Sequence, residues 1–126
     1  MSVFLSGKVY FVDLGIRNIL VNDFKPLSNR ADRGELFENF VYLNLFSAKG
    51  PLTEIRYWKT RNKQELDFIV SSSGSIFAFE SKYSGTKNAS FKAFQNAYPQ
   101  AVCNTVSFSN TNRTQGELYG WQRLIP

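Results

Sequence analysis

The stretch ELDFIVSSSGSIFAFESK, residues 65 to 82, constrains this chain more than any other. QELDFIV (64–70) and SIFAFESK (75–82) are β-rich runs, and Ser71 to Gly74 between them reads as a turn. A two-residue turn at Ser73-Gly74, with Gly74 supplying a positive φ, sets Asp67 opposite Glu80 and Glu65 opposite Lys82. Opposed residues share a face, so Glu65, Asp67, Glu80 and Lys82 are expected on one side, continued by Ile69, Ile76 and Ala78. Leu66, Phe68, Val70, Phe77 and Phe79 then form the apolar side. Opposed carboxylates repel and call for a cation or a shared proton. Lys82 supplies part of that charge, and a divalent metal would supply more. An ordinary Glu65–Lys82 surface ion pair on a solvated face is the plainer reading of the same residues.

The segments around this hairpin complete an ordered set. Val9 to Val12 reads as a strand leading into a helical turn at 16–20, and 22–31 reads as a loop. DRGELFENFVYLNLFSAKG is the clearest helix, with Asp32 and Glu35 forming a capping-box-like start and Lys49-Gly50-Pro51 a stop. Its apolar residues, from Leu36 to Phe46, occupy nearly the whole circumference, so the helix is expected to be largely buried. Glu38 falls on that apolar surface, where a carboxylate is costly unless paired, hydrogen-bonded or bound to a metal. EIRYWKT (54–60) precedes the hairpin as a strand. SFKAFQNAYP follows as a helix ended by Pro99, AVCNTVSF as a strand, and ELYGWQRLIP as a final strand after a polar turn at 110–116. The order is that of an α/β chain with a mixed central sheet flanked by helices.

Composition bounds the chemistry. The 126 residues are 43% hydrophobic and 16% aromatic, which suits one globular domain spanning 1–126. There is no histidine, so Ser-His-Asp and Cys-His triads, His-ligated zinc and His general bases are excluded within this chain. Chemistry must run on carboxylates, lysine, tyrosine, hydroxyls or an oxygen-ligated metal. Cys103 is the only cysteine and is expected to be a small core thiol. The net charge of +5 suits a polyanionic partner. No apolar run is long enough to span a membrane and no secretion signal opens the chain, so a cytoplasmic protein without membrane contact is expected.

Glu38 on a first helix, Asp67 on a strand and Glu80-Ser81-Lys82 on the next strand resemble the motif of the PD-(D/E)XK nuclease superfamily. Leu66 stands where that name has Pro. KVYFVDLGIRN, GELFENFVYLNL, YWKTRNKQELDFIV and FAFESKYS look more narrowly like the C-terminal nuclease-like domain, formally of unknown function, of bacterial and archaeal AAA+ ATPases. The resemblance covers roughly residues 7 to 108. It implies a restriction-endonuclease-like αβββαβ core and a C-terminal piece of a longer ATPase. The chain itself carries no phosphate loop of the G-x-x-x-x-G-K-[ST] kind. The resemblance further implies a nuclease-like domain hydrolysing DNA phosphodiesters with Mg²⁺ or Mn²⁺, the metal held by Asp67, Glu80 and Glu38. Lys82 would complete the catalytic set by orienting or helping to activate water. Lys59, Arg61 and Lys63, near Tyr57 and Trp58, are the candidate phosphate contacts, with Lys87 and Lys92 extending a basic stripe. Basic turns are also common on plain solvated surfaces. Gln95 and Tyr98 could reach such a site, although core packing is the plainer expectation. Nucleic acid, DNA favoured, and an AAA+ module of the same full-length chain are the expected partners. The alternative is a silent nucleic-acid-binding, regulatory or oligomerisation domain of the ATPase.

Overall fold

A computed structural model describes residues 2–5, 7–84 and 90–108. Strands β1 (Ser2–Leu5) and β2 (Lys8–Phe11) form an antiparallel pair. Helix α1 (Leu14–Val21) follows, started by Asp13, whose side chain accepts from Gly15 N at 2.8 Å and Ile16 N at 3.2 Å. Then come α2 (Arg33–Ala48), β3 (Glu54–Lys59), β4 (Glu65–Ser72), β5 (Ser75–Lys82), α3 (Ser90–Ala97) and β6 (Val102–Ser107). The second sheet has the order β3-β4-β5-β6, antiparallel except for the parallel pair β5–β6 that α3 connects. The mixed α/β fold with helices on a mixed sheet is thus the one expected, and β1 is an addition. No helix among the described residues is long and apolar enough to cross a membrane. The expected turn at 110–116, the final strand and Lys87 lie outside the described residues.

Alternation along β5 separates two cores. Phe77 and Phe79 face α2, where Phe37, Val41, Tyr42 and Leu45 pack with Phe68, Val70, Ile55 and Tyr10 of β2. Ile76 and Ala78 face the other way, against Phe94 of α3, Leu66, Ile69 and Trp58. Half-buried Cys103 packs at the margin of that second cluster, where burial raises its thiol pKa, so it is less enclosed than expected. α2 is also less enclosed than its composition suggests, because one side meets the sheet while Phe40 and Phe46 stay exposed. Nor does Asp32 cap α2 with its side chain. Two guanidiniums claim it instead: Arg17 at 2.7 Å, and Arg30 through contacts of 2.9 and 3.0 Å. Such charge-assisted bonds outcompete a neutral backbone donor, and the Arg30 contact first, then Arg17, hold the Asp32 carboxyl far below the ordinary carboxylate range.

The hairpin register is as read from the sequence: Phe68 pairs with Phe79, Ile69 with Ala78 and Ser72 with Ser75. Its turn has φ of 50° at Ser73 and 82° at Gly74, the two positive values that a twisted two-residue hairpin turn needs. The β3–β4 pair is not regular. Arg56 pairs with Ile69 but Trp58 with Leu66, so Tyr57 alone stands opposite both Asp67 and Phe68. This is a β-bulge, and it re-aims one side chain.

Candidate functional site

The bulge decides where Asp67 points. In a regular strand Leu66 and Phe68 share a face and Asp67 takes the other. With one extra residue, Leu66 joins the α3 core, Phe68 joins the α2 core, and Asp67 turns toward α2 as well. The expected grouping of Leu66 with Phe68, and of Asp67 with Ile69, Ile76 and Ala78, is corrected accordingly.

Asp67 thereby meets residues from three elements. Its Oδ2 accepts from Ser81 N at 2.8 Å and Ser81 Oγ at 2.9 Å. Its own backbone N–H donates to Glu80 Oε2 at 3.2 Å. These side-chain bonds take over where the β4–β5 ladder stops at Phe68–Phe79. Glu80 is in phase with Ala78 along β5, so Asp67 and Glu80 meet across the end of the ladder and not on one flat face. Oδ1 of Asp67 accepts from Lys8 Nζ at 3.1 Å, and Lys8 also reaches Glu38 Oε1 at 2.6 Å.

Lys8 is the residue that sequence reasoning missed. β2 is docked on α2 by Asn39, whose amide accepts from Phe11 N at 2.9 Å and donates to Phe11 O at 2.8 Å, like a strand neighbour. Tyr10 packs against both Tyr42 and Phe68, with ring centroids 4.6 and 5.7 Å away. Lys8 lies two residues before Tyr10, on the same face of β2, and so lands among the acids. The faint signal was a lysine in phase with a tyrosine at the start of KVYF.

The carboxylates outnumber the cation. Burial first, and then the Asp67 carboxyl beside it, pushes Glu38 up to about 7 although Lys8 pulls the other way. Burial followed by the Asp67 charge takes Glu80 up to about 7, against the pull of the Asp67 N–H and of Lys82. Burial lowers the Lys8 pKa, but Glu38 and Asp67 outweigh it and hold the ammonium above its ordinary value. The Tyr10 hydroxyl is buried beside the same acids with no hydrogen-bond partner of good geometry, and burial followed by the Glu38 charge raises its pKa strongly.

These shifts set a pH dependence. A carboxyl whose folded pKa exceeds its unfolded one binds its proton more tightly in the fold, so its stabilisation is full below the ordinary value and drains as pH rises through about 7. Without histidine, no other side chain normally titrates in that window. The metal-free domain should lose on the order of 2 kcal/mol between about pH 5 and about pH 8. Glu80→Gln should flatten the slope. Thermal melts across that interval check it, and a melting temperature that rises with pH contradicts it.

The remaining candidates are placed as follows. Lys82 is half-buried on β5, pairs in register with Ser107, makes no ion pair among the described residues, and acts on Glu80 through its charge. Glu65 does not share a face with Lys82; it is exposed, accepts from Tyr57 Oη at 2.7 Å and lies 4.0 Å from Lys59 Nζ. Arg61 and Lys63 are exposed in the β3–β4 turn, closed by Thr60 N to Gln64 O at 2.8 Å. Trp58 is half-buried and makes an edge contact with Phe94 at 5.2 Å, at the margin of the α3 core. Gln95 and Tyr98 are exposed on or beside α3, on the sheet face opposite Glu38, so neither joins the acids, while the Tyr98 ring packs at the margin of the second core, 4.9 Å from Phe94. Among the described residues, no three His, Cys, Asp or Glu side chains are gathered closely enough to hold a metal ion together. Glu38, Asp67 and Glu80 are all-oxygen donors carrying more negative charge than Lys8 offsets, which fits a hard divalent cation better than a soft one.

The family described as "Domain of unknown function (DUF4143)" matches residues 33–124, from the start of α2 onward. The chain belongs to that family. The DUF4143 match contains Glu38, Asp67, Glu80 and Lys82, while Lys8 and β2 precede it. Two curated relatives are similar to the chain: the uncharacterized protein Mb2031c of Mycobacterium bovis and the uncharacterized protein Rv2008c of Mycobacterium tuberculosis. Each is 32% identical over 87 residues, covering 68% of this chain and 20% of the relative. The DUF4143 chain therefore aligns with about a fifth of their length. No solved structure matches.

Proposed function

We propose that this DUF4143 domain is a nuclease-like module of the PD-(D/E)XK kind, hydrolysing DNA phosphodiesters with a divalent metal, within a longer AAA+ ATPase chain. The observation that carries the reading is the bulge that turns Asp67 toward Glu38 while its backbone N–H engages Glu80. In a chain without histidine an oxygen-ligated metal suits such chemistry, and Asp67 and Glu80 would hold Mg²⁺ or Mn²⁺ with Glu38 joining directly or through a water. When bound, that ion supplies Lewis-acid polarisation of the phosphodiester and a more acidic water. Lys82 orients the attacking water and offsets charge that develops on the phosphate. Ser81 fixes the Asp67 carboxylate with two hydrogen bonds. The ATPase context rests on the resemblance and on relatives whose length leaves room for other domains.

A second reading, a silent nucleic-acid-binding or regulatory domain of the same ATPase, is favoured by Lys8, which already bridges Glu38 and Asp67. Incubation with branched, linear and single-stranded DNA plus Mn²⁺ separates the two. Cleavage that EDTA stops, and that Lys82→Ala slows by about 10²-fold or more while DNA binding persists, supports the nuclease. Binding without cleavage under every condition supports the silent domain.

Lys59, Arg61 and Lys63 at the hairpin tip are the phosphate contacts of either reading. Replacing all three by Gln should reduce the slope of log K against log salt by about 2 to 3, at roughly 0.9 per phosphate contact. An unchanged slope in a filter-binding titration removes them from the interface.

A further inference from the structure

β2 delivers a cation into the carboxylate cluster. Lys8 Nζ lies 2.6 Å from Glu38 Oε1 and 3.1 Å from Asp67 Oδ1, and 4.5 Å from the centre of the Tyr57 ring. An ammonium there fills the place between two carboxylates that a bridging divalent ion needs. Two observations distinguish this seat from a chance surface pair. The Asn39 amide clamps the backbone of Phe11 and so fixes the strand that carries Lys8. Tyr10, 3% exposed, packs its ring under the seat and buries its hydroxyl beside the same two acids, so the strand that carries Lys8 is held from its side chains as well as its backbone.

We infer that Lys8 is an internal counter-cation: it holds the Glu38–Asp67 seat in the metal-free domain and is displaced when a divalent ion enters, so it sets the metal affinity. The inference rests on the metal-site reading above and adds to it a competitor built into the chain. Space and charge carry it. A small divalent ion sits about 2.1 Å from its oxygen ligands. Two cations on one pair of carboxylates would then stand about 4 Å apart, where their repulsion in a half-buried site is strong. The ammonium must withdraw, and the Tyr57 ring face gives it a partner as it does so. Until then Lys8 screens acids that would otherwise repel one another.

The test is calorimetric titration of Mn²⁺ at about pH 8 into the wild-type domain, Lys8→Met and Lys8→Arg, with melting curves for each. Lys8→Met removes the charge and keeps the stem, and should bind Mn²⁺ at least about tenfold more tightly than wild type. Lys8→Arg keeps the charge and adds a fork that spans both carboxylates, and should bind about tenfold more weakly. Without metal, Lys8→Met should melt lower than wild type and recover with Mn²⁺. Wild-type binding that Lys8→Met leaves equal or weakens overturns the counter-cation while leaving the metal site intact. No binding by any of the three up to millimolar Mn²⁺ removes the metal site, and the inference with it. If Lys8→Met does not fold, Lys8→Arg decides alone: weaker binding supports the competitor, and equal or tighter binding overturns it.

Discussion

Asp67→Ala should abolish metal binding, weakening Mn²⁺ affinity by about 100-fold or more, and should lower any cleavage at least as far. The size of the effect follows from position. Asp67 is the one acid in contact with all the others: Lys8 joins it to Glu38, its N–H engages Glu80, and its charge raises the pKa of both glutamates. A catalytic role and a merely structural one differ in a second observable. Removing the Asp67 carboxylate relieves Glu38 and Glu80 of their shared neighbour, so the loss of stability with rising pH should shrink in the variant. Mn²⁺ binding that survives Asp67→Ala at wild-type strength would move the metal elsewhere or remove it altogether. The substitution should cost little fold stability at about pH 8. It takes an acceptor from Ser81 but also a charge from a crowded site.

The largest stability effect should come from the adjacent residue. Phe68→Ala should cost about 4 kcal/mol, within the range for truncating a buried phenylalanine. Phe68 is fully buried, packs 5.7 Å from the Tyr10 ring and 6.3 Å from Tyr42, and joins β2, α2 and the sheet in one cluster. Its loss leaves a cavity that three different elements would have to close together. Urea unfolding followed by circular dichroism measures the cost. A change under about 1 kcal/mol would show that this cluster does not hold the fold together. Because Phe68 is the second residue of the bulge, the same variant should also loosen Asp67 and weaken Mn²⁺ binding in the folded fraction.

Much of this arrangement was legible in the residues themselves. The hairpin turn and its register follow from Ser73-Gly74 and from alternation on both strands, which are local features. The start and stop of α2 were readable from Asp32 and from Lys49-Gly50-Pro51, although Asp32 turned out to serve two arginines and not the helix end. Glu38 stood out because a carboxylate on an apolar helix surface needs a partner. That partner, Lys8, was not legible: it arrives on a separate strand, held by an amide clamp and a stacked ring that no local pattern announces. Nor was the bulge. Leu66-Asp67-Phe68 reads as plain alternation, and only the conflict between the pairings of Arg56 and Trp58 reveals the extra residue.

That extra residue gives the β3–β4 turn an unexpected role. Loops on a surface ordinarily tolerate gain or loss of a residue, because nothing behind them depends on their length. Here the turn at 60–64 and the bulge share one count of residues beyond a single fixed pairing, Arg56 with Ile69, because Trp58–Leu66 and Lys59–Glu65 can slip together by one. A turn shorter by one residue can be closed by drawing the slack out of the strand. Every core side chain from Phe68 to Ser72 would keep its place, while Asp67 rotated to the α3 face, away from Glu38. Leu66 would turn with it, out of the α3 core where it is fully buried, so in this domain an indel in an exposed loop reaches both the acid cluster and the packing behind it.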